Sequence, residues 1–150
     1  MSNQKVSENL SHMHSGAKAA ADPALPHDHG EVHELAHLRG QLSQTESFDR
    51  VTEVFRQLGD STRIRLFWLL CHCEECVINL SAMLGMSSPA LAHHLRILKS
   101  SGLIQSRRVG KEVYYRAADS QESRLLHEMI ESMMEIVCPD VRLKDVEDRR

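Results

Sequence analysis

The sequence lacks the features that mark several large functional classes. No run approaches the roughly 18 consecutive apolar residues of a membrane-crossing helix, so no membrane partner is expected. The N-terminus has no charged-then-apolar signal pattern, which points to the cytoplasm. There is no Ser/His/Asp arrangement, phosphate-binding loop or paired-carboxylate motif, so neither an enzyme nor a small-molecule substrate is expected. Cysteine is scarce as well: four in 150 residues, three of them within Cys71–Cys76. In a cytoplasmic chain these read as reduced thiols or metal ligands before disulfides. A chain of this length supports one domain with a core large enough to fold unaided.

There is also no overall excess of positive charge. The net charge of −3 argues weakly against a nucleic-acid partner until it is divided along the chain. Residues 1–59 carry five Lys/Arg against eight Asp/Glu, and residues 117–150 carry five against nine. Residues 60–116 carry eight against four, a local balance of +4. The positive charge is concentrated in one segment.

That segment contains Met86 to Arg116, around which the rest is organised. Ser88 suits an N-cap and Pro89 the first helical position, where a missing N–H costs nothing. Leu91, Leu95 and Leu98 recur at i, i+4 and i+7 as one apolar stripe, and Gly102 ends the helix. Pro89, His93, Arg96 and Ser100 fall on the opposite face. Leu103–Arg108 and Glu112–Arg116 read as two strands around the Gly110 turn. A small helix with a polar outer face and a cationic ribbon suits a major groove and its flanking phosphates. Ser88, His93 and Arg96 are the candidates for direct contact with double-stranded DNA, and Arg107, Arg108 and Lys111 for gripping phosphate or the minor groove. The alternative is an ordinary amphipathic helix beside an ordinary hairpin.

Upstream, Thr45–Leu58 reads as a helix with Phe48, Val51, Val54, Phe55 and Leu58 on one side. Ser61–Leu70 reads as a second helix and Val77–Leu84 as a third, ended by Gly85. One tight turn, Gly85-Met86-Ser87, joins the third helix to the Leu91–Leu98 helix, which makes a helix-turn-helix. Downstream, Leu125, Leu126, Met129, Ile130, Met133, Met134, Ile136 and Val137 form a broad apolar stripe on a last helix. Such a stripe could simply cover the monomer core; pairing it with the Phe48–Leu58 face in a twofold interface would explain more exposed apolar surface than one small core does. Residues 1–44 are polar, Ala- and His-rich and broken by proline and glycine, and read as a largely disordered tail. His29, His33 and His37 are spaced by four, so a helical turn would place them on one face as metal ligands; a solvated tail whose histidines do nothing is the alternative.

The three stretches LGDSTRIRLFWLL, VINLSAMLGMSSPALAHHLRILKSSGLI and SRRVGKEVYYR together resemble the ArsR/SmtB family of metal-responsive winged-helix repressors, over about residues 46–138. The resemblance implies a mainly α fold with a small β-hairpin (α+β), a winged helix-turn-helix dimeric through N- and C-terminal helices. It also implies operator affinity that metal binding weakens. The domain reading is a flexible His-rich tail at 1–44, an ArsR-type DNA-binding and dimerisation domain at 45–138, and a charged tail at 139–150.

Cys71, Cys73 and Cys76 form a C-x-C-x2-C cluster, close enough to meet one ion if the segment is a turn. Thiolates favour soft or borderline ions: Zn(II), Cd(II), Pb(II) or As(III). His72 offers an imidazole, although its place between two ligands works against it. Small buried hydrophobes are the other reading of the thiols, opposed by the flanking Glu74 and Glu75. Thiol-sensing relatives carry an ELCVC-type motif where this chain reads EECVI, so Cys76 matches the first cysteine while Ile78 replaces the second. The family's other site, D-x-H-x10-H-x2-E, corresponds here to Asp119, Gln121, Ser132 and Glu135, without either imidazole. His127, with Glu128 and Glu131 nearby, and Cys138 are further ligand candidates. The leading expectation is a metal-released repressor that binds operator DNA as a homodimer. A thiol-redox regulator and a metal carrier or buffer are the alternatives.

Overall fold

The computed structural model describes residues 26–27 and 32–140, with side chains from residue 35 onward in the second stretch. The ligand role expected of His33 and the tail readings at 1–25, 28–31 and 141–150 lie outside the described residues or side chains. The described residues fall into two units that divide between Gln44 and Thr45.

The first unit contains helix α1, Val32–Leu42. Within the segment expected to be largely disordered, residues 32–42 are therefore helical. Leu35, Leu38 and Leu42, at i, i+3 and i+7, give the segment a helical apolar stripe before the helix ends near Ser43. His37 lies on it, exposed, with Nε2 3.2 Å from Gln41 Nε2.

The second unit runs α2 (Thr45–Leu58), α3 (Ser61–His72), β1 (Glu75–Cys76), α4 (Val77–Leu84), α5 (Ser88–Ser100), β2 (Ile104–Val109), β3 (Glu112–Ala117) and α6 (Gln121–Val137). The core gathers Leu58 of α2, Leu66, Phe67 and Leu70 of α3, Leu80 of α4 and Leu91, Leu95 and Leu98 of α5. Leu103, Ile104, Leu126 and Ile130 close it. Leu66, Phe67, Leu80, Leu91 and Leu98 are wholly inaccessible. Ser123 is the one buried polar residue among those described, and its hydroxyl donates to the Leu103 carbonyl at 3.1 Å.

Element ends follow local chemistry. Asp60 caps α3, its carboxylate accepting from the Arg63 N–H at 2.9 Å. Gly85 closes α4 in the left-handed region, at φ +66°, where a side chain is strained. The N-cap of α5 is Ser87 rather than Ser88: its hydroxyl accepts from Ala90 N–H, which puts Ser88 inside the helix and Pro89 one place further in. Gly110, at φ +61°, makes the turn between β2 and β3. The sheet has three strands in the order β1-β3-β2, all antiparallel, so the hairpin carries a third strand on its inner edge. Two residues are too few to display an alternating pattern, which is why β1 is invisible in the sequence.

Both α2 and α6 carry apolar residues that this core does not cover. Phe48, Val51 and Phe55 on α2 are about half exposed, as is Met133 on α6, and Ile136 is more so. No helix among the described residues is long and apolar enough to cross a membrane.

The Asp60 cap gives a first prediction. The Arg63 N–H, above all, holds the Asp60 carboxyl below the usual range, with help from the charges of Arg63 and His94, whose Nδ1 lies 3.8 Å away. A carboxyl lowered in the folded state contributes fully above about pH 4 and loses that contribution as the pH falls through its folded value. Asp60→Ala should cost about 1 kcal/mol at neutral pH and flatten the acid limb of the stability curve, measured by urea unfolding between pH 2 and 7. An unchanged acid limb would show that Asp60 is not the titrating cap.

Candidate functional site

The site begins with the packing of α5. Its leucine stripe is sealed inside, so the opposite face must point outward: Ser88, Pro89, His93, Arg96 and Ser100 are all exposed. Arg96 has no ion-pair partner among the described residues. The Ser88 hydroxyl lies 3.1 Å from that of Ser81, which ties the start of α5 to α4. His93 meets the His94 ring edge-on, 5.6 Å between centroids. His94 itself turns inward, its Nδ1 buried and without a hydrogen-bond partner among the described residues.

The wing is the β2–β3 hairpin, in register from Ile104↔Ala117 to Val109↔Glu112. Lys99 of α5 donates to Ser106 Oγ at 2.7 Å, joining helix to wing. At the tip Arg108 and Lys111 are exposed, and Arg108 Nε donates to the Gly110 carbonyl at 3.2 Å. Arg107 is differently placed. Its guanidinium donates to both carboxylate oxygens of Glu74, at 2.5 and 2.9 Å, and lies 5.7 Å from the Tyr114 ring centroid. That hydrogen-bonded pairing holds Glu74 below the usual carboxylate range and raises Arg107. Of the three wing cations expected to face phosphate, Arg107 therefore has a carboxylate competitor.

The thiols do not sit in one turn. Helix α3 continues two residues beyond the expected end, so Cys71 and His72 are helical and Cys73 is the C-cap, its N–H donating to the Leu69 carbonyl at 3.1 Å. Cys76 is drawn into β1, paired with Tyr114, and is buried. Helix, cap and strand thus separate the three sulfurs, which do not assemble as a set. Burial, with the charge of Glu131, pushes the Cys71 thiol up to about 12, and burial with Glu75 raises Cys73. Ile78, which replaces the family's second cysteine, is exposed.

The ligating atoms that do converge, among the described residues, are those of His72, His127 and Glu131, all within 4.8 Å of one another. The extension of α3 is what carries His72 across to α6, where His127 and Glu131 stand one turn apart. His72 Nε2 lies 3.0 Å from His127 Nε2 and 3.4 Å from Glu131 Oε1, and His127 Nε2 lies 3.1 Å from the same oxygen. The i, i+4 spacing of His127 and Glu131 was visible in the sequence; the third member, 55 residues away, was not. Beside this cluster opens a cleft of about 410 Å³ lined by Cys71, His72, Cys73, Arg116 and His127, among others. Cys138 is exposed at the C-cap of α6. His37 belongs to the other unit.

A helix-turn-helix on a three-helix core, followed by a two-stranded basic hairpin, defines a winged helix-turn-helix of the DNA-binding class. Residues 60–106 match the family described as bacterial regulatory protein, arsR family. The chain is 33% identical over 104 residues, 69% of its length, to the transcriptional repressor SmtB homolog of Synechocystis, of which it covers 79%. It is 35% identical over 77 residues, 51% of its length, to the cadmium resistance transcriptional regulatory protein CadC homolog of Staphylococcus aureus, of which it covers 64%. The homodimeric winged helix-turn-helix domain of Mb0332 from Mycobacterium bovis superposes with a TM-score of 0.56 at 27% identity, over 61% of this chain and 84% of that one. The chain belongs to the ArsR family of bacterial transcriptional regulators.

The pairing of Glu74 with Arg107 yields a second prediction. Glu74→Gln removes the competing charge, so the salt dependence of binding to non-specific duplex DNA should steepen by about one counterion. Measured by fluorescence anisotropy between 50 and 300 mM salt, an unchanged slope would show that Arg107 does not face phosphate.

Proposed function

We propose that this protein is a cytoplasmic, homodimeric transcriptional repressor that leaves its operator when a thiophilic metal ion binds. The single observation behind the DNA-reading part is the exposed α5 face, Ser88, His93 and Arg96, flanked by the basic wing. In this reading Arg96 and His93 reach base edges from the major groove, Ser88 meets the groove edge, and Arg108, Lys111 and Arg107 hold the backbone. Two such heads must match groove faces about 34 Å apart, so a dimer is required. The uncovered apolar faces of α2 and α6 are suited to forming it, and the M. bovis relative is described as homodimeric.

The metal part draws support from the CadC relative, whose name carries cadmium resistance, and from the thiols at the entrance to α4. Cys71, Cys73 and Cys76 are the proposed ligands for Cd, Pb, Zn or As(III). Because Cys71 and Cys73 are held as protonated thiols, they bind by exchanging a proton for a metal. At Cys71 and Cys73 the raised thiols weigh against the oxidant-sensing alternative, since the thiolate is the oxidisable form. Gathering the sulfurs onto one ion would disturb β1, which is paired to β3 and runs directly into α4, and so would shift the reading head relative to its dimer mate. A carrier or buffer would leave the wing without a use, and the regulator family gives no ground for an enzyme.

Two measurements test this. On the chain's own promoter DNA, Arg96→Ala should lose roughly 1–3 kcal/mol of specific affinity while non-specific affinity changes little. An equal loss on both DNAs would remove Arg96 from base reading. In the same assay the wild type should dissociate on titration with Cd(II). The Cys71, Cys73, Cys76 triple serine variant should keep its operator affinity but need at least about tenfold more cadmium for release, since an alcohol does not replace a thiolate ligand. Release of the variant at the wild-type concentration would place cadmium sensing elsewhere.

A further inference from the structure

The convergence of His72, His127 and Glu131 is not explained by the thiol site or by DNA reading. We propose that these three side chains form a second metal site, of nitrogen and oxygen ligands, that takes one borderline divalent cation of the zinc class within a single protomer. None of them belongs to the D-x-H-x10-H-x2-E positions, which here are Asp119, Gln121, Ser132 and Glu135.

Three observations carry the assignment. The first is spacing. Ligands about 2.0–2.1 Å from a tetrahedral zinc stand roughly 3.3–3.4 Å from one another, and the three contacts here are 3.0, 3.1 and 3.4 Å. The second is valence. At 3.0 Å one Nε2 must donate and the other accept, whereas a cation draws on the lone pairs of both nitrogens and the oxygen together. The third is support and access. Each side chain is partly buried, between 17 and 31% exposed, and the His72 ring leans on Trp68 at 4.6 Å between centroids. His72 and His127 also line the neighbouring cleft, which gives an ion a way in. Two imidazoles and a carboxylate suit zinc and leave the fourth position to water.

An ion there ties the last turn of α3 to α6. The last turn of α3 leads through β1 into α4, and α6 bears the apolar face offered to a second protomer. The cation is therefore placed to stiffen the link between reading head and dimer seam; this consequence rests on the metal-sensor reading above, while the site itself does not.

Zinc alone, added to the metal-free full-length protein without DNA, tests the site. Imidazole nitrogen NMR on the wild type should show His72 and His127 shifting together within the first equivalent of tight binding. His127→Gln and Glu131→Gln should each weaken that first equivalent by more than the roughly 10–100-fold that loss of an outer-shell partner costs. The Cys71, Cys73, Cys76 triple serine variant should retain it. If the wild-type spectra show zinc on the tail histidines with His72 and His127 unmoved, or if the triple serine variant loses the ion, the assignment is overturned. Because no DNA is present, that failure is distinct from failure of the sensor reading, which the operator titration decides.

Discussion

The burial of three leucines on α5 is the constraint from which the rest of the reading unit follows. Leu91, Leu95 and Leu98 meet Leu80 of α4 and Leu66, Phe67 and Leu70 of α3 in one core. Each fully buried leucine is worth about 1.5–3 kcal/mol relative to exposure, so rotating α5 by even one position would forfeit several of them. That cost fixes the rotation of the helix, and the rotation decides that His93 and Arg96 face outward. The groove-reading face is in this sense a by-product of the core. Gly85 and the Ser87 cap set the angle at which α5 leaves the turn, and Lys99 carries the same orientation into the wing through Ser106.

A second consequence of packing lies at the end of α3. Leu70 is buried, and the helix runs on through Cys71 and His72 before Cys73 caps it. Two residues later the chain pairs with β3, which inserts Cys76 into the sheet edge. A segment that reads as a compact run of thiols is thereby divided among three environments. The histidine between them is carried to α6 instead. The C-x-C-x2-C spacing implies proximity only if the backbone turns there, and here α3 runs helical through His72 instead.

Charge along the molecule is balanced rather than simply basic. The +4 of residues 60–116 includes Glu74, whose carboxylate engages Arg107 at the base of the wing. Such an exposed pair adds little to folding, but it takes one cation out of the set available to phosphate. Because Glu74 follows Cys73 directly, the thiol segment and the wing share a charge contact as well as the β1–β3 pairing.

Much of this was legible in the residues themselves. Periodic leucines, a proline near the start of a helix and glycines after the ends of helices are local signals, and α2 and α4 emerge with the boundaries the pattern indicates. The basic segment follows from a count of charges along the chain, and the outward position of His93 and Arg96 from helical periodicity. Local sequence failed where the outcome depended on a distant partner. The two-residue β1 exists only because β3 lies beside it. Helix α1 escaped notice because a weak apolar stripe sits in a polar, proline-flanked segment. The start of α5 moved by one residue because two adjacent serines are equally good caps in sequence and only one places its hydroxyl on Ala90. The meeting of His72 with His127 and Glu131 was decided by tertiary structure alone, since it depends on how far α3 runs and where α6 crosses it, and neither is encoded within the few residues around any one of the three.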